Sequence, residues 1–203
     1  LEELLAAVAA AWFGPVQFEE WDGLLSRLRL DSSNHAFRTS LHRNGNLLFL
    51  LDKATEPPQL VLLGESIRRV CAREDVERRI AVFTRTPKVA FEQHRISCEH
   101  LHPLADEFVC FDVPEAYASP MALPDYAPGS VPHLLRAELE RLNLRAGVDK
   151  PIHVMASWVE TEAWLRARLA AADGPILVLV NQPSTAEAEL DRQILDFANA
   201  PLG

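Results

Sequence analysis

The feature that most constrains the fold is an apolar run near the end of the chain, set between two helix starts. Residues 176–180 (Ile-Leu-Val-Leu-Val) contain no polar side chain, a pattern typical of a strand buried on both faces. Residues 151–156 predict an earlier strand, and residues 157–160 (Ser-Trp-Val-Glu) match a capping box at the start of the helix between the two strands. This order predicts a right-handed βαβ unit in a parallel sheet.

Further helix signals surround this unit. Residues 134–145 predict a helix that begins after Pro132 and ends before Gly147. Residues 184–187 form a second capping box, which predicts a closing helix with a buried stripe of apolar residues. The polar residues 181–185 follow the apolar strand and precede this helix, a position where an anion can bind.

The first half of the chain predicts antiparallel pairing. Residues 36–42 and 47–52 flank the dipeptide Asn44-Gly45, a strong hairpin signal because Asn and Gly tolerate the positive φ angles of tight turns. Residues 59–63 predict a third strand, followed by a helix over residues 65–73. The predicted fold is therefore a three-layer α/β domain with a mixed sheet, an antiparallel N-terminal hairpin and a parallel βαβ C-terminal half.

Domain organisation follows from the same patterns. We expect one α/β domain over residues 1–203, with residues 1–30 as an N-terminal helical appendage. Strands are predicted at residues 79–84 and 107–113, and the pattern of residues 89–104 leaves helix and strand open. Residues 114–132 contain five prolines, which predicts an irregular loop or an internal linker.

Composition excludes several function classes. The formal net charge of −9 argues against a nucleic-acid partner or binding to an anionic membrane, and no apolar stretch is long enough to cross a bilayer. Three cysteines without a Cys-x-x-Cys pair favour a reducing compartment, so we expect a cytoplasmic protein. The basic residues are mostly Arg, a bacterial-like composition.

A candidate anion-binding site lies beyond the strand predicted at residues 79–84. Ligands of open α/β sheets bind outside the carboxyl ends of the strands, and hydroxyls beside Arg and Lys suit a phosphate or a carboxylate. The same edge would hold a serine that follows the strand predicted at residues 59–63. The candidate ligand-binding residues are Ser66, Thr84, Arg85, Thr86 and Lys88.

A cluster of histidine and cysteine offers a candidate metal site. Neutral imidazole and thiolate are the ligands that zinc prefers. On a helix, His94 and Cys98 would share a face, whereas on a strand Cys98, His100 and His102 would share one. The candidate metal ligands are therefore His94, Cys98, His100 and His102, and the ion would be zinc. The alternative is that these residues belong to a partly exposed polar connecting segment that binds no metal. No other cofactor is favoured, because no P-loop, Gly-x-Gly-x-x-Gly or His-Glu-x-x-His motif occurs.

One segment resembles a known family. Residues 105–117 (Ala-Asp-Glu-Phe-Val-Cys-Phe-Asp-Val-Pro-Glu-Ala-Tyr) resemble a strand and loop of certain phosphoribosyltransferase domains, in which a similar strand precedes Pro-Glu and an aromatic residue. The resemblance implies an α/β domain that binds a phosphorylated ligand. It covers thirteen residues, and the two adjacent acids and Thr/Gly-rich loop of that family's diphosphate site are missing at the matching residues 62–66.

Two function classes remain. In the first, the domain is a non-catalytic regulatory, scaffolding or partner-binding module of a larger protein or assembly, with a protein partner or self-association. In the second, it is an enzyme or binder acting on a small anionic ligand, possibly phosphorylated, with the proline-rich segment as a lid. The absence of any complete catalytic set favours the first class, and the sequence does not decide whether the protein is an enzyme.

Overall fold

A computed structural model describes residues 40–54, 56–181 and 188–200 of the chain. In this part, six strands form one sheet: β1 (Ser40–Asn44), β2 (Leu47–Asp52), β3 (Arg78–Thr84), β4 (Glu107–Phe111), β5 (Ile152–Met155) and β6 (Ile176–Asn181). Five α-helices accompany them: α1 (Pro57–Glu74), α2 (Phe91–Leu101), α3 (Ser130–Ala146), α4 (Trp158–Ala170) and α5 (Ala188–Asn199). No helix in these ranges is both long and apolar enough to span a membrane.

The sheet is mixed, as the sequence predicts. Its strand order is β1-β2-β6-β3-β4-β5. Strand β1 pairs antiparallel with β2, and every other pairing is parallel. The predicted antiparallel hairpin and parallel C-terminal half are therefore confirmed.

Helices cover both faces of the sheet and bury two separate cores. Alternate side chains of the central strands point to opposite faces. One core joins Leu50, Phe83 and Phe108 of the sheet to helices α1, α2 and α3. The other joins Phe49 and Val82 to helices α4 and α5. The three-layer α/β prediction is confirmed, and the all-apolar central strands follow from burial on both faces.

The hairpin turn is a two-residue loop. Asn44 pairs with Leu47, so Gly45 and Asn46 form the turn. Gly45 has a φ of +55°, a conformation that glycine adopts without steric cost. Glycine at the first turn position is typical of a type II′ hairpin, whose twist matches that of the strands.

The prediction of a strand at residues 59–63 is wrong, since these residues lie inside α1. Pro57 and Pro58 occupy the first helical turn, where a missing N–H costs nothing. Leu60, Leu63 and Ile67 are buried and follow the spacing of a helix, whereas the intervening Val61 and Leu62 are exposed. A short apolar run is compatible with either period, and the helical stripe becomes clear only when residues beyond the run are included.

The remaining predictions about the fold have different outcomes. Residues 89–104, which the pattern left open, form α2 and a 3-10 helix at His102–Leu104. The proline-rich segment contains a 3-10 helix at Pro114–Ala118, followed by turns up to the start of α3. The predicted N-terminal helices and the capping box at residues 184–187 lie outside the described residues. The predicted division of the chain into domain, appendage and linker stays a prediction.

The N-cap role of Ser157 at the start of α4 is confirmed, whereas the Glu160 side chain bonds the amide before the N-cap residue and so does not complete the predicted capping box. The Glu160 amide donates to Ser157 Oγ over 3.3 Å, and Glu160 Oε2 accepts from the Ala156 amide over 2.6 Å. We expect Ser157→Ala to lower the free energy of unfolding by about 1 kcal/mol, because a helix amide loses its acceptor. Urea unfolding checks this value.

A second serine provides the control. Ser66 lies on the exposed face of α1, and its hydroxyl donates to the Leu62 carbonyl over 3.0 Å. Alanine is the better helix former, so Ser66→Ala is expected to be neutral or stabilising by a few tenths of a kcal/mol. Equal losses in both variants would contradict a capping role for Ser157.

Candidate functional site

The carboxyl ends of β2, β6 and β3 place three polar residues side by side. Asp52 ends β2 and Asn181 ends β6, and these two residues are register partners. Arg85 follows directly after the last residue of β3, which neighbours β6 on its other side. After β3 the chain continues into α2 on one face of the sheet, and after β6 it continues into α5 on the other. Such a switch point is where open α/β sheets bind ligands.

Hydrogen bonds connect this polar row. Arg85 Nη2 donates to Asn181 Oδ1, and Asn181 Nδ2 donates to the Ala54 carbonyl over 3.0 Å. Asp52 Oδ1 accepts from the Ala54 amide over 2.6 Å. The Asn181 amide therefore holds the guanidinium of Arg85 in position against the end of β2.

Arg85 is buried with little to neutralise its charge. Its side chain is 2 % exposed, and the guanidinium carbon lies 5.7 Å from the centre of the Phe83 ring. In the described part of the chain, its hydrogen-bond partner is a neutral amide, and the Asp52 carboxylate acts on it electrostatically without a direct ion pair. Burial lowers the pKa of Arg85 to about 10, so the group remains a cation at neutral pH.

Among the residues that the structure describes, several buried polar atoms of Arg85 and nearby residues have no hydrogen-bond partner. They are Arg85 Nε, Thr84 Oγ1, Thr86 Oγ1 and His94 Nδ1. Thr84 and Thr86 are 0 % and 1 % exposed, so bulk solvent does not reach these hydroxyls. Most buried polar groups in proteins are hydrogen-bonded, so the unpaired atoms of Arg85, Thr86 and His94 make this region the candidate ligand site. Thr84 follows Ile80 and Val82 onto the other face of the sheet.

The site lies close to the surface and beside the proline-rich segment. Lys88 and Val89 are partly exposed, and Ala90 is fully exposed, so the chain reaches solvent within five residues of Arg85. The Leu123 amide donates to the Pro87 carbonyl over 2.8 Å, and Tyr126 Oη donates to the Val89 carbonyl over 2.9 Å. The proline-rich segment is thus attached to the loop that follows β3.

The structure brings together most of the predicted ligand-binding residues, but not all of them. Arg85 lies in the buried polar row, Thr84 and Thr86 are buried on either side of it in the chain, and Lys88 is partly exposed. Ser66 does not join them, because the residues before it form a helix and its hydroxyl bonds within that helix. The sequence prediction also missed Asp52, although an acid that ends an apolar run is a detectable signal.

The structure separates the four predicted metal ligands, because they do not share one face of α2. His94 and Cys98 share the buried face of α2, whereas His100 Nδ1 lies 2.9 Å from the Ile96 carbonyl at the partly exposed side. His102 Nε2 lies 2.8 Å from Asn143 Oδ1, and its ring stacks on Phe108. In the described part of the chain, no three His, Cys, Asp or Glu side chains form a group that could hold a metal ion.

The thiols near Arg85 are protonated. Burial raises the pKa of Cys98 to about 12 and raises that of Cys110 well above its usual value. Thiolate, not thiol, is the nucleophile and metal ligand. These two cysteines are therefore chemically inert packing residues in this state.

A separate groove opens at the carboxyl edge on the face covered by α4 and α5. Its volume is about 460 Å³. Carboxylates of Asp112, Glu115 and Glu189 line it together with Ser157 and Trp158, and among the described residues that line it none is Lys or Arg. This charge does not suit an anion, so the candidate anion site is the row around Arg85.

Comparison with known proteins finds similarity in structure only. No protein-family model and no curated protein sequence matches the chain. Among solved structures, UDP-N-acetylmuramoyl-L-alanyl-D-glutamate–2,6-diaminopimelate ligase is 16 % identical over 71 % of this chain and 26 % of its own, with a TM-score of 0.47. MurC, the UDP-N-acetylmuramate-alanine ligase of Thermotoga maritima, is 13 % identical over 78 % and 28 %, with a TM-score of 0.44.

A third solved structure is the folylpolyglutamate synthase of Mycobacterium tuberculosis. It is 16 % identical over 76 % of this chain and 30 % of its own, with a TM-score of 0.47. This chain therefore spans less than a third of the length of each of these three proteins. Similarities of this size transfer no activity or ligand to it.

The structure also bears on the resemblance to phosphoribosyltransferase domains. Residues 107–111 form strand β4, as that resemblance implies. The position compared with the family's diphosphate-binding strand and loop, residues 62–66, lies within helix α1. The geometry of a diphosphate loop after a strand is therefore missing at that position, and no site residue is carried over from that family.

Proposed function

We propose that the domain binds a small oxyanion, a phosphate or a carboxylate, at the carboxyl edge of its sheet, with Arg85 as the principal cation. The observation that supports this proposal is the buried guanidinium, whose described hydrogen-bond partner is a neutral amide. Moving an ion out of water costs several kcal/mol unless an opposite charge compensates it. A bound anion would supply that charge and accept hydrogen bonds from Arg85 and Thr86.

Binding without chemistry is the role that the surroundings of Arg85 favour. The neighbouring thiols are protonated. His94 Nε2 faces the Thr86 carbonyl and not a hydroxyl nucleophile, so the nucleophile and base pairing of covalent catalysis is missing among these residues. We therefore propose a non-catalytic regulatory module that responds to an anion. This proposal combines the non-catalytic module of the first function class with the anionic ligand of the second.

The proline-rich segment would control access to this site. Its two hydrogen bonds to the loop after β3 couple its position to that of Thr86 and Lys88. Loops of this length in compact domains are often lids or binding loops.

A protein partner would bind elsewhere on the domain. The candidate contact is the pair of neighbouring exposed side chains Val61 and Leu62 on α1.

Thermal unfolding with a panel of anions tests the proposed function. Phosphate, pyrophosphate and dicarboxylates are compared with chloride at equal ionic strength. A specific ligand at about 100 times its Kd adds about 2.7 kcal/mol to the free energy of unfolding, and Arg85→Met is expected to abolish this gain. Arg95→Met, which removes an arginine of an exposed ion pair with Glu92, is the control and is expected to respond like the wild type.

Two outcomes of this experiment would overturn the proposal. In the first, no anion of the panel stabilises the wild-type protein more than chloride does. In the second, Arg85→Met and the wild type gain the same stability from the same anion, which would locate binding elsewhere.

The unpaired threonine hydroxyls give a further prediction. Valine has nearly the same shape as threonine but no hydroxyl. Because Thr84 Oγ1 and Thr86 Oγ1 are buried without a partner, each Thr→Val change is expected to leave the ligand-free protein as stable or stabilise it by about 1 kcal/mol. At Thr86 the same change is expected to weaken anion binding about 10-fold, because a hydrogen bond to a charged group is lost.

Urea unfolding and anion titration of the two Thr→Val variants measure these opposite effects. Thr161→Val is the matched control. Its hydroxyl is buried but already donates to the Ser157 carbonyl over 2.9 Å, so its removal is expected to lower stability and leave anion binding unchanged. A large stability loss in Thr84→Val and Thr86→Val would show that their hydroxyls are paired in the folded protein.

A further inference from the structure

The orientation of the His94 ring determines which of its nitrogens carries hydrogen. His94 lies on the buried face of α2, and its Nε2 is 3.3 Å from the Thr86 carbonyl oxygen. A carbonyl oxygen only accepts hydrogen bonds. The hydrogen therefore resides on Nε2, and in the neutral ring Nδ1 carries a lone pair.

The ring is neutral in the folded protein. Burial, with a further contribution from the positive charge of Arg85, lowers the pKa of His94 to about 3. Nδ1 is buried and without a partner, so it is a hydrogen-bond acceptor that nothing in the described protein satisfies. It differs in this respect from Arg85 Nε, which is a donor, and from the hydroxyls of Thr84 and Thr86, which can donate.

We infer that the oxyanion bound beside Arg85 carries a hydrogen of its own, which it donates to His94 Nδ1, as inorganic hydrogen phosphate can and sulfate cannot. This inference rests on the proposed function, because it specifies the ligand of the same site. Phosphate and sulfate have almost the same size and tetrahedral shape. At neutral pH phosphate retains a P–O–H group, whereas sulfate has only acceptor oxygens.

The donor and acceptor pattern gives the expected selectivity. Hydrogen phosphate would accept from Arg85 and Thr86 and donate to His94, which satisfies the unpaired atoms of these three residues. Sulfate would place an oxygen lone pair against the lone pair of Nδ1 and leave both groups unsatisfied. Sites built around a hydrogen-bonding group of the ligand discriminate strongly against analogues that lack it, so we expect phosphate to bind at least about 10-fold more tightly than sulfate.

Calorimetric titration of the full chain with phosphate and with sulfate, at about pH 7.5 and equal ionic strength, tests the inference. Arsenate, which retains a hydrogen, and selenate, which has none, form a second pair of probes. His94→Phe removes the acceptor and is expected to lower phosphate affinity to the level of sulfate. Gln93→Ala, an exposed change on the same helix, is expected to retain the selectivity of the wild type.

Each outcome has a definite meaning. If neither phosphate nor sulfate binds, this inference is overturned, and the proposed function is overturned as well when pyrophosphate and the dicarboxylates of the panel also fail to stabilise the protein. If phosphate and sulfate bind equally, or sulfate binds more tightly, the anion site stands and the role of His94 is overturned. If His94→Phe does not fold, the wild-type ratios for the phosphate–sulfate and arsenate–selenate pairs decide the matter.

Discussion

Replacement of Arg85 by methionine is expected to stabilise the ligand-free protein, although it removes the central residue of the candidate site. Methionine fills a similar volume without a charge. The guanidinium is 2 % exposed and its described partner is neutral, so folding must remove a cation from water with little compensation. Substitution of buried ionic groups by apolar residues of similar size stabilises proteins by about 1–4 kcal/mol.

One loss partly offsets this gain. Asn181 Oδ1 would lose the donor that Arg85 provides, and an unsatisfied buried amide costs about 1–3 kcal/mol. We expect a net increase in stability, visible as a rise in Tm of about 2–4 °C for each kcal/mol gained in a chain of this size. Gains of this kind occur where a natural residue is retained for function at the expense of stability.

Differential scanning calorimetry in a buffer without phosphate or carboxylate measures the effect. Arg85→Lys keeps the charge and is the matched control, for which no gain is expected. A Tm of Arg85→Met several degrees below that of the wild type would mean that the guanidinium already contributes favourable interactions. The proposed anion site would then lose its main physical argument.

Acidification is expected to destabilise the protein through His94. Burial holds the pKa of this ring at about 3 in the folded protein, whereas the unfolded chain takes up the proton near pH 6.5. Between these two pH values the unfolded state binds more protons, so the free energy of unfolding falls as the pH falls. The loss is about 1.4 kcal/mol per pH unit for one proton, and it is absent above pH 6.5.

Urea unfolding at pH 7, 6, 5 and 4 measures this dependence in the wild type and in His94→Gln. The glutamine amide can still donate to the Thr86 carbonyl but does not titrate. The difference in stability between the two proteins is therefore expected to shift in favour of the variant as the pH falls. Gln93→Ala should follow the wild-type curve, and parallel curves for the wild type and His94→Gln would show that His94 takes up its proton at the same pH in the folded and unfolded states.

Much of the architecture was predictable from local patterns. The strand at residues 176–180, the N-cap at Ser157 and the hairpin turn at Gly45 are each determined by neighbouring residues, and each is present in the structure. The candidate loop after β3 was predictable for the same reason, since hydroxyl and basic residues directly follow an apolar strand. Residues 59–63 were not, because a five-residue apolar run fits a strand or a helix equally well.

The sequence by itself thus determined the α/β class, the mixed sheet and the presence of Thr84, Arg85 and Thr86 at the end of a strand. Only the tertiary structure decided that these residues are buried and which groups face them. Asn181 lies 96 residues from Arg85 and 127 from Ala54, and they meet because β6 inserts between β2 and β3. Strand order depends on long-range packing of whole helices and strands, which no local pattern encodes.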